Sequence, residues 1–208
     1  MSDTTVIIKT IGRKSIDDAV ASATREGFEA MVVNDGCEMP EPKGCRYIRL
    51  GRKWGYYGGM AANVGAALAE TEFITFLDDD DEFAPGAGEV IRSKLKEKPH
   101  VDVWIGGVRF NREININNMA TGETVLASTD LSMNGQLGVV PGNVSMPTYR
   151  TRIFAHYPFM NNIPEGQTNL TDFYHIQGCS LAGFKIDWFE KIIYLVRPKI
   201  GGTNGAGK

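Results

Sequence analysis

A short apolar run, Phe73-Ile74-Thr75-Phe76-Leu77, feeds directly into four consecutive carboxylates, Asp78, Asp79, Asp80 and Asp81, with Pro85 close behind. Aromatic and β-branched residues in an unbroken run suit a strand covered on both faces, as in parallel α/β sheets. Acids just beyond such a strand stand at the carboxyl edge of the sheet, where open α/β folds hold their ligands. Four adjacent carboxylates repel one another, and burying part of that charge is costly unless a cation compensates. In extended geometry the side chains alternate, so Asp78 and Asp80 face one way and Asp79 and Asp81 the other. The resulting Asp-x-Asp pair suits Mg²⁺ or Mn²⁺, which takes one or two protein carboxylates and completes its shell with water and phosphate oxygens. The implied ligand is a nucleotide diphosphate. A solvated acidic turn capping the helix after Pro85 is the plainer alternative, but a cap needs one acid, not four. A calcium loop fits poorly: Asp78, Asp80, Glu82 and Glu89 fall at positions one, three, five and twelve of its template, yet Phe83 stands where the template requires glycine.

With 208 residues and 42% hydrophobic content, the chain is long enough for one sizeable core. A net charge of −3 gives no global electrostatic reason to expect nucleic acid or an anionic membrane surface as partner. Cys37, Cys45 and Cys179 form no Cys-x-x-Cys pair and are odd in number, which suits a reducing compartment. No apolar run approaches the roughly 18 residues a bilayer requires, and acids occupy the region where a signal peptide is basic and then apolar. A soluble cytoplasmic protein is the expectation.

Ahead of the acids, Thr5-Val6-Ile7-Ile8 reads as a strand, Lys9-Thr10-Ile11-Gly12-Arg13 as a loop, and Ile16, Ala19, Val20 and Ala23 as one face of a helix capped by Ser15 with Asp18. Ala30-Met31-Val32-Val33 is the next strand, ending in Asn34-Asp35-Gly36, so a βαβ unit brings the Thr10 loop and Asp35 to the same edge as the acids. Tyr47-Ile48-Arg49-Leu50 gives a third strand, and a helix with small residues on one stripe runs from Met60 to Glu70. Between them, residues 51–59 mix Arg52, Lys53, Trp54, Tyr56 and Tyr57 with glycines, a composition suited to stacking a base and holding phosphate, or to a plain surface loop. Further on, a strand is expected over 101–108 and two strand-like pieces over 185–189 and 191–196. Asp172 precedes a helix that it either caps or serves, with His175 three residues on. The terminal Gly202-Thr203-Asn204-Gly205-Ala206-Gly207-Lys208 has the letters of a phosphate loop without the strand before it or the helix after it.

Four ordered stretches carry a resemblance: the strand ending at Thr10 with Arg13 beyond it, Val32-Val33-Asn34-Asp35-Gly36, Ala61-Ala62-Asn63-Val64-Gly65, and Phe76-Leu77-Asp78-Asp79-Asp80-Asp81 with Pro85. Together they resemble the inverting family 2 glycosyltransferases, most closely over residues 5–100. The resemblance implies a GT-A fold: a single α/β domain whose mostly parallel central mixed sheet is flanked by helices. It divides the chain into a nucleotide-sugar-binding half (1–100), an acceptor-binding half (101–198) and a flexible tail (199–208). It implies transfer of a sugar, with inversion, from a nucleotide diphosphate sugar (a UDP-sugar before others) to a saccharide or other hydroxyl acceptor, assisted by Mn²⁺ or Mg²⁺. Carried over by position, Thr10, Arg13, Asp35, Asn63, Asp78 and Asp79 bind the donor, Asp80 with Asp78 holds the metal, and Asp172 is the catalytic base. The chain departs from the family pattern at Lys9, where proline is usual, at Ala62, where arginine is usual, and at Thr171, where a glutamate precedes the catalytic aspartate. Phosphate contacts then fall to Lys9, Arg13, Arg52 or Lys53.

Two other readings compete. A sugar-phosphate nucleotidylyltransferase needs a glycine-rich first loop, and residues 9–13 contain one glycine. A non-catalytic nucleotide-sugar-binding module fits the altered positions 62 and 171. For the acceptor, the basic and aromatic residues of 52–57 keep open a nucleobase hydroxyl of nucleic acid.

Overall fold

Strand β1 (Thr4–Thr10) lies between two parallel neighbours, β2 (Glu29–Asn34) and β4 (Phe73–Asp78), with β3 (Arg46–Arg49) outside β2. The computed structural model describes residues 3–55, 58–110, 124–125, 147–159 and 171–196. Period-two alternation sends successive side chains to opposite faces, so Val6 and Ile8 join one apolar cluster and Ile7 the other. Helix α1 (Ile16–Arg25) covers the first face through Ile16, Ala19, Val20 and Ala23, beside α3 (Ala87–Glu97) through Ala87, Ile91 and Leu95. Helix α2 (Gly59–Leu68) covers the second through Ala61, Ala62 and Ala66. Its approach is so close that a Cβ at Gly65 would stand 2.5 Å from Ile7 Cγ2. This is the physical reason for its run of small residues.

Beyond β4 the sheet becomes mixed. Strand β8 (Thr148–Arg150) is antiparallel to both β4 and β6 (Val103–Phe110), β6 pairs with a parallel β9 (Ile186–Val196), and the short β5 (Asp81–Phe83) lies antiparallel on β9. The strand order among the described residues is β3-β2-β1-β4-β8-β6-β9-β5, with β7 (Thr124–Val125) paired to β6. Helices α4 (Ile153–His156) and α5 (Thr171–Leu181) add Ile153, Phe154, Ile176 and Cys179 to the second cluster. No helix of the described residues is long and apolar enough to cross a membrane.

Several local expectations change. Residues 186–196 form one strand, not two pieces, because irregular pairing between Ile105 and Val108 of β6 lets β9 run past without breaking. Strand β5 has no propensity signal: it exists because β9 offers it an antiparallel edge and because Phe83 is buried beside Phe28, ring centroids 5.0 Å apart. Ser15 does not cap α1 with its side chain; its hydroxyl donates instead to the Asp79 carbonyl at 2.6 Å. Helix α5 begins at Thr171, so Asp172 sits inside its first turn and not ahead of it. The side chains of Thr171 and Asp172, and residues 56, 57, 111–118, 165 and 199–208, lie outside the described residues.

Candidate functional site

Strands β1, β2 and β4 all end at one edge, and β4 delivers Asp78 there. The chain then turns at Asp79 and Asp80, and Asp81 opens β5. Strict alternation groups Asp78 with Asp80 only. The turn rotates Asp81 into the same group, and one carboxylate oxygen from each of Asp78, Asp80 and Asp81 lies within 4.8 Å of the others. Asp80 and Asp81 are buried and Asp78 is half exposed. An all-oxygen, all-carboxylate set partly open to solvent through Asp78 fits a hard divalent cation of the Mg²⁺ or Mn²⁺ kind.

Asp79 does different work. Its carboxylate is completely buried and accepts from Thr10 Oγ1 at 2.6 Å and from the Ile11 amide at 3.2 Å, while its other oxygen pairs with the Arg13 guanidinium. The Gly12 amide donates to Thr10 Oγ1 at 3.0 Å, which closes the loop on itself. Thr10 and Arg13 are therefore turned onto Asp79, joining the β1 loop to the acidic turn. Burial works against the Arg13 charge, but the carboxylates of Asp79, Asp80 and Asp78 outweigh it and hold the guanidinium above its ordinary range. Removing one partner of a buried, hydrogen-bonded ion pair leaves the remainder unpaired, so Asp79→Ala should lower folding stability by about 2–4 kcal/mol in urea unfolding. A loss below about 0.5 kcal/mol, the range of ordinary surface changes, would contradict this bracing role.

Asp35 stands at the end of β2, its amide donating to the Thr10 carbonyl at 2.9 Å. Its two carboxylate oxygens accept from the Trp54 amide at 2.9 Å and the Gly55 amide at 2.8 Å. Gly36, at φ +77°, packs so tightly on the Arg52-Lys53 backbone that a Cβ has no room. The basic, aromatic loop is thus folded back over the strand end, with the Arg52 guanidinium 3.9 Å from the centroid of the Trp54 ring. Each carboxylate oxygen has two acceptor directions, so Asp35 keeps capacity for a further donor. The neighbouring Asn34 is occupied structurally, its amide donating to the Cys37 carbonyl at 2.9 Å and to Tyr47 Oη at 2.7 Å.

Asn63, grouped by sequence with the donor residues, clamps a different segment. Its Nδ2 donates to the Phe159 carbonyl at 3.0 Å and its Oδ1 accepts from the Phe159 amide at 2.8 Å, tying α2 to the chain after α4. His175 is a core residue. Its Nε2 donates to the Tyr157 carbonyl at 2.8 Å, Nδ1 accepts from Tyr149 Oη at 3.2 Å, and Phe154 and Phe159 pack on the ring. Desolvation pushes its pKa down to about 4 against a lesser opposing effect of the Tyr157 hydrogen bond, so the imidazole is neutral at pH 7. Because the folded value lies below the unfolded one, the stability this residue contributes is present above about pH 6.5 and is lost as pH falls toward 4. Urea unfolding should show a loss of about 3 kcal/mol across that window, absent from His175→Phe.

The sequence reading misplaced two site residues. Asp81 was visible in the acidic run but assigned to the opposite face by alternation. Lys9, read there as a stand-in for phosphate contacts, places its ammonium 3.0 Å from Asp78 Oδ1. Asp172 lies in the first turn of α5.

The model for glycosyl transferase family 2 matches residues 5–192. The chain belongs to glycosyl transferase family 2. Among solved structures, the crystal structure of S. aureus TarS 1-349 superposes with a TM-score of 0.70 at 20% identity, covering 93% of this chain and 60% of that one. The same protein in complex with UDP gives 0.65 at 18% identity, covering 94% and 60%, and with UDP-GlcNAc 0.63 at 17%, covering 96% and 59%. Comparison with curated protein sequences gives no match. The chain therefore spans about three fifths of the length of the TarS 1-349 structures. At this identity the likeness establishes the GT-A architecture: a mixed, mostly parallel sheet flanked by helices, as expected for a family 2 glycosyltransferase.

Proposed function

We propose that this family 2 chain transfers a sugar, with inversion and with the help of a divalent cation, from a UDP-sugar to a hydroxyl acceptor. The observation that carries the reading is the meeting at one sheet edge of Asp35, the Thr10 loop and the carboxylates of Asp78, Asp80 and Asp81, the last three within 4.8 Å. A nucleotide diphosphate presents a base and ribose rich in hydrogen-bonding groups and a diphosphate needing positive charge. Asp35 and Thr10 suit the first, the acidic cluster with its cation the second. UDP is favoured among nucleotides because the similar TarS fold has been crystallised with UDP and with UDP-GlcNAc.

Asp78, Asp80 and Asp81 are the residues to hold Mn²⁺ or Mg²⁺, which when bound supplies positive charge against the leaving diphosphate. Asp172, from the half of the chain that serves the acceptor, takes the acceptor hydroxyl proton. The acceptor oxygen then bonds to the anomeric carbon from one face while the bond to the diphosphate oxygen breaks on the other, its electron pair leaving with UDP. One displacement from the opposite face inverts the anomeric centre.

The test is a panel of nucleotide sugars offered to the purified protein with and without Mn²⁺, followed by UDP release and by calorimetric binding. Metal-dependent binding of at least one UDP-sugar is expected, with slow UDP release to water in the absence of acceptor. If no nucleotide sugar binds at millimolar concentration with Mn²⁺ present, the reading is wrong.

A further inference from the structure

We propose that Lys9 is a built-in counter-cation of the acidic cluster, one that sits on Asp78 in the metal-free chain and competes there with the divalent cation. The inference rests on the metal-site reading above. Lys9 and Asp78 are register partners on the parallel strands β1 and β4, and residues side by side on neighbouring strands project from the same face of the sheet. The ammonium stands 3.0 Å from Asp78 Oδ1.

The lysine stem is guided to that position. It runs against Gly58, the αL residue before α2, where a Cβ would stand 3.0 Å from Lys9 Cδ and 3.3 Å from Lys9 Cβ. Glycine leaves the channel through which the stem reaches the acid. The Lys9 side chain is only 14% exposed and that of Asp78 is 45% exposed, so the amine is sheltered along its length while the carboxylate opens toward solvent. A cation arriving from solvent reaches Asp78 from its open side and finds the ammonium already there.

Charge sets the consequence. Arg13 pairs with Asp79 and lies 3.6 Å from Asp80, so Lys9 and Arg13 each set a positive charge against the acidic group. Without Lys9 the group is more negative and holds a divalent cation more tightly. With Lys9, the cation must displace or share a carboxylate, and the lysine must find another partner. An ammonium on a flexible four-carbon stem is suited to such a swing in a way a planar guanidinium is not. The anion at this edge is the diphosphate of the donor, so cation and donor favour each other's binding, and the chain retains little metal before the donor arrives.

The experiment is calorimetric titration of Mn²⁺ without nucleotide into the wild-type protein, Lys9→Met and Lys9→Arg, each checked for a native thermal transition. Lys9→Met keeps the length and packing of the stem and should bind Mn²⁺ about tenfold more tightly, whereas Lys9→Arg keeps the charge and should stay within about threefold of wild type. Affinity in Lys9→Met equal to or weaker than wild type would overturn the role of Lys9 while leaving the metal site standing. Absence of Mn²⁺ binding in both wild type and Lys9→Met, with UDP present as well as without it, would overturn the metal site itself, and this inference with it. Wild-type protein alone supplies an independent readout: during Mg²⁺ titration the Lys9 Nζ resonance should shift in step with metal occupancy, and an unmoved resonance at saturation counts against displacement whatever the variants do.

Discussion

Asp80→Asn is expected to abolish Mn²⁺-dependent donor binding while the chain stays folded. Asp80 is buried in the turn between β4 and β5, its carboxylate within reach of those of Asp78 and Asp81. Asparagine has nearly the same volume but offers the cation a neutral oxygen in place of a charged one. Replacing even a supporting residue around a metal costs about 10- to 100-fold in affinity, so loss of a direct ligand should exceed about 100-fold. Arg13, 3.6 Å from Asp80, keeps its principal pairing with Asp79 and leaves the local fold supported. Asp78→Asn should cost less, because Asp78 is half exposed and already shared with Lys9. Calorimetry of UDP with Mn²⁺ separates these outcomes: unchanged nucleotide affinity in Asp80→Asn removes Asp80 from the metal site.

Asp172→Asn is the second large effect. A positioned general base contributes about 10² to 10⁴ in rate, so turnover should fall by that factor with donor affinity nearly unchanged. The motive is the place of Asp172 at the aspartate of the family's acidic pair, in the first turn of α5, with Thr171 where the glutamate is usual. Extra Mn²⁺ should not rescue the loss, since the carboxylate is assigned to the acceptor and not to the cation. Wild-type turnover in this variant moves the base to another residue. Glu165 is then the next acid to test, since the neutral, fully partnered His175 is held in the core. Loss of donor binding in Asp172→Asn would instead move the residue into the nucleotide site.

The halves of the chain differ in how much was legible. Strands β1, β2 and β4 each contain an apolar run, Val6–Ile8, Ala30–Val33 and Phe73–Leu77, the last broken only by Thr75, and a run covered on both faces carries its own signature. Their shared carboxyl edge followed from the βαβ connection, so the meeting of Thr10, Asp35 and the acids there could be read before any coordinates. Strands β5 and β8, of three residues each, owe their existence to partners more than sixty residues away in sequence, Val196 to Tyr194 for β5 and Phe73 to Thr75 for β8. No local pattern announces such strands, because pairing and not propensity stabilises them.

The amino-acid sequence alone determined that an acidic cluster would stand at the carboxyl edge of the sheet, since charge density, strand pattern and chain order are local facts. What each acid does was decided by the tertiary structure. Alternation assigns Asp79 and Asp81 to one face, but the chain turns after Asp78, swinging Asp81 toward the cluster and sending Asp79 inward, where Thr10, Ile11 and Arg13 converge on its carboxylate. Those partners lie 66 to 69 residues earlier. The same holds for Asn63, committed to the Phe159 backbone across 96 residues, and for Lys9, brought to Asp78 by parallel register. A side chain's chemistry is written in its type, but the charges and dipoles that surround it come from segments distant in the chain, and only folding brings them within bonding distance.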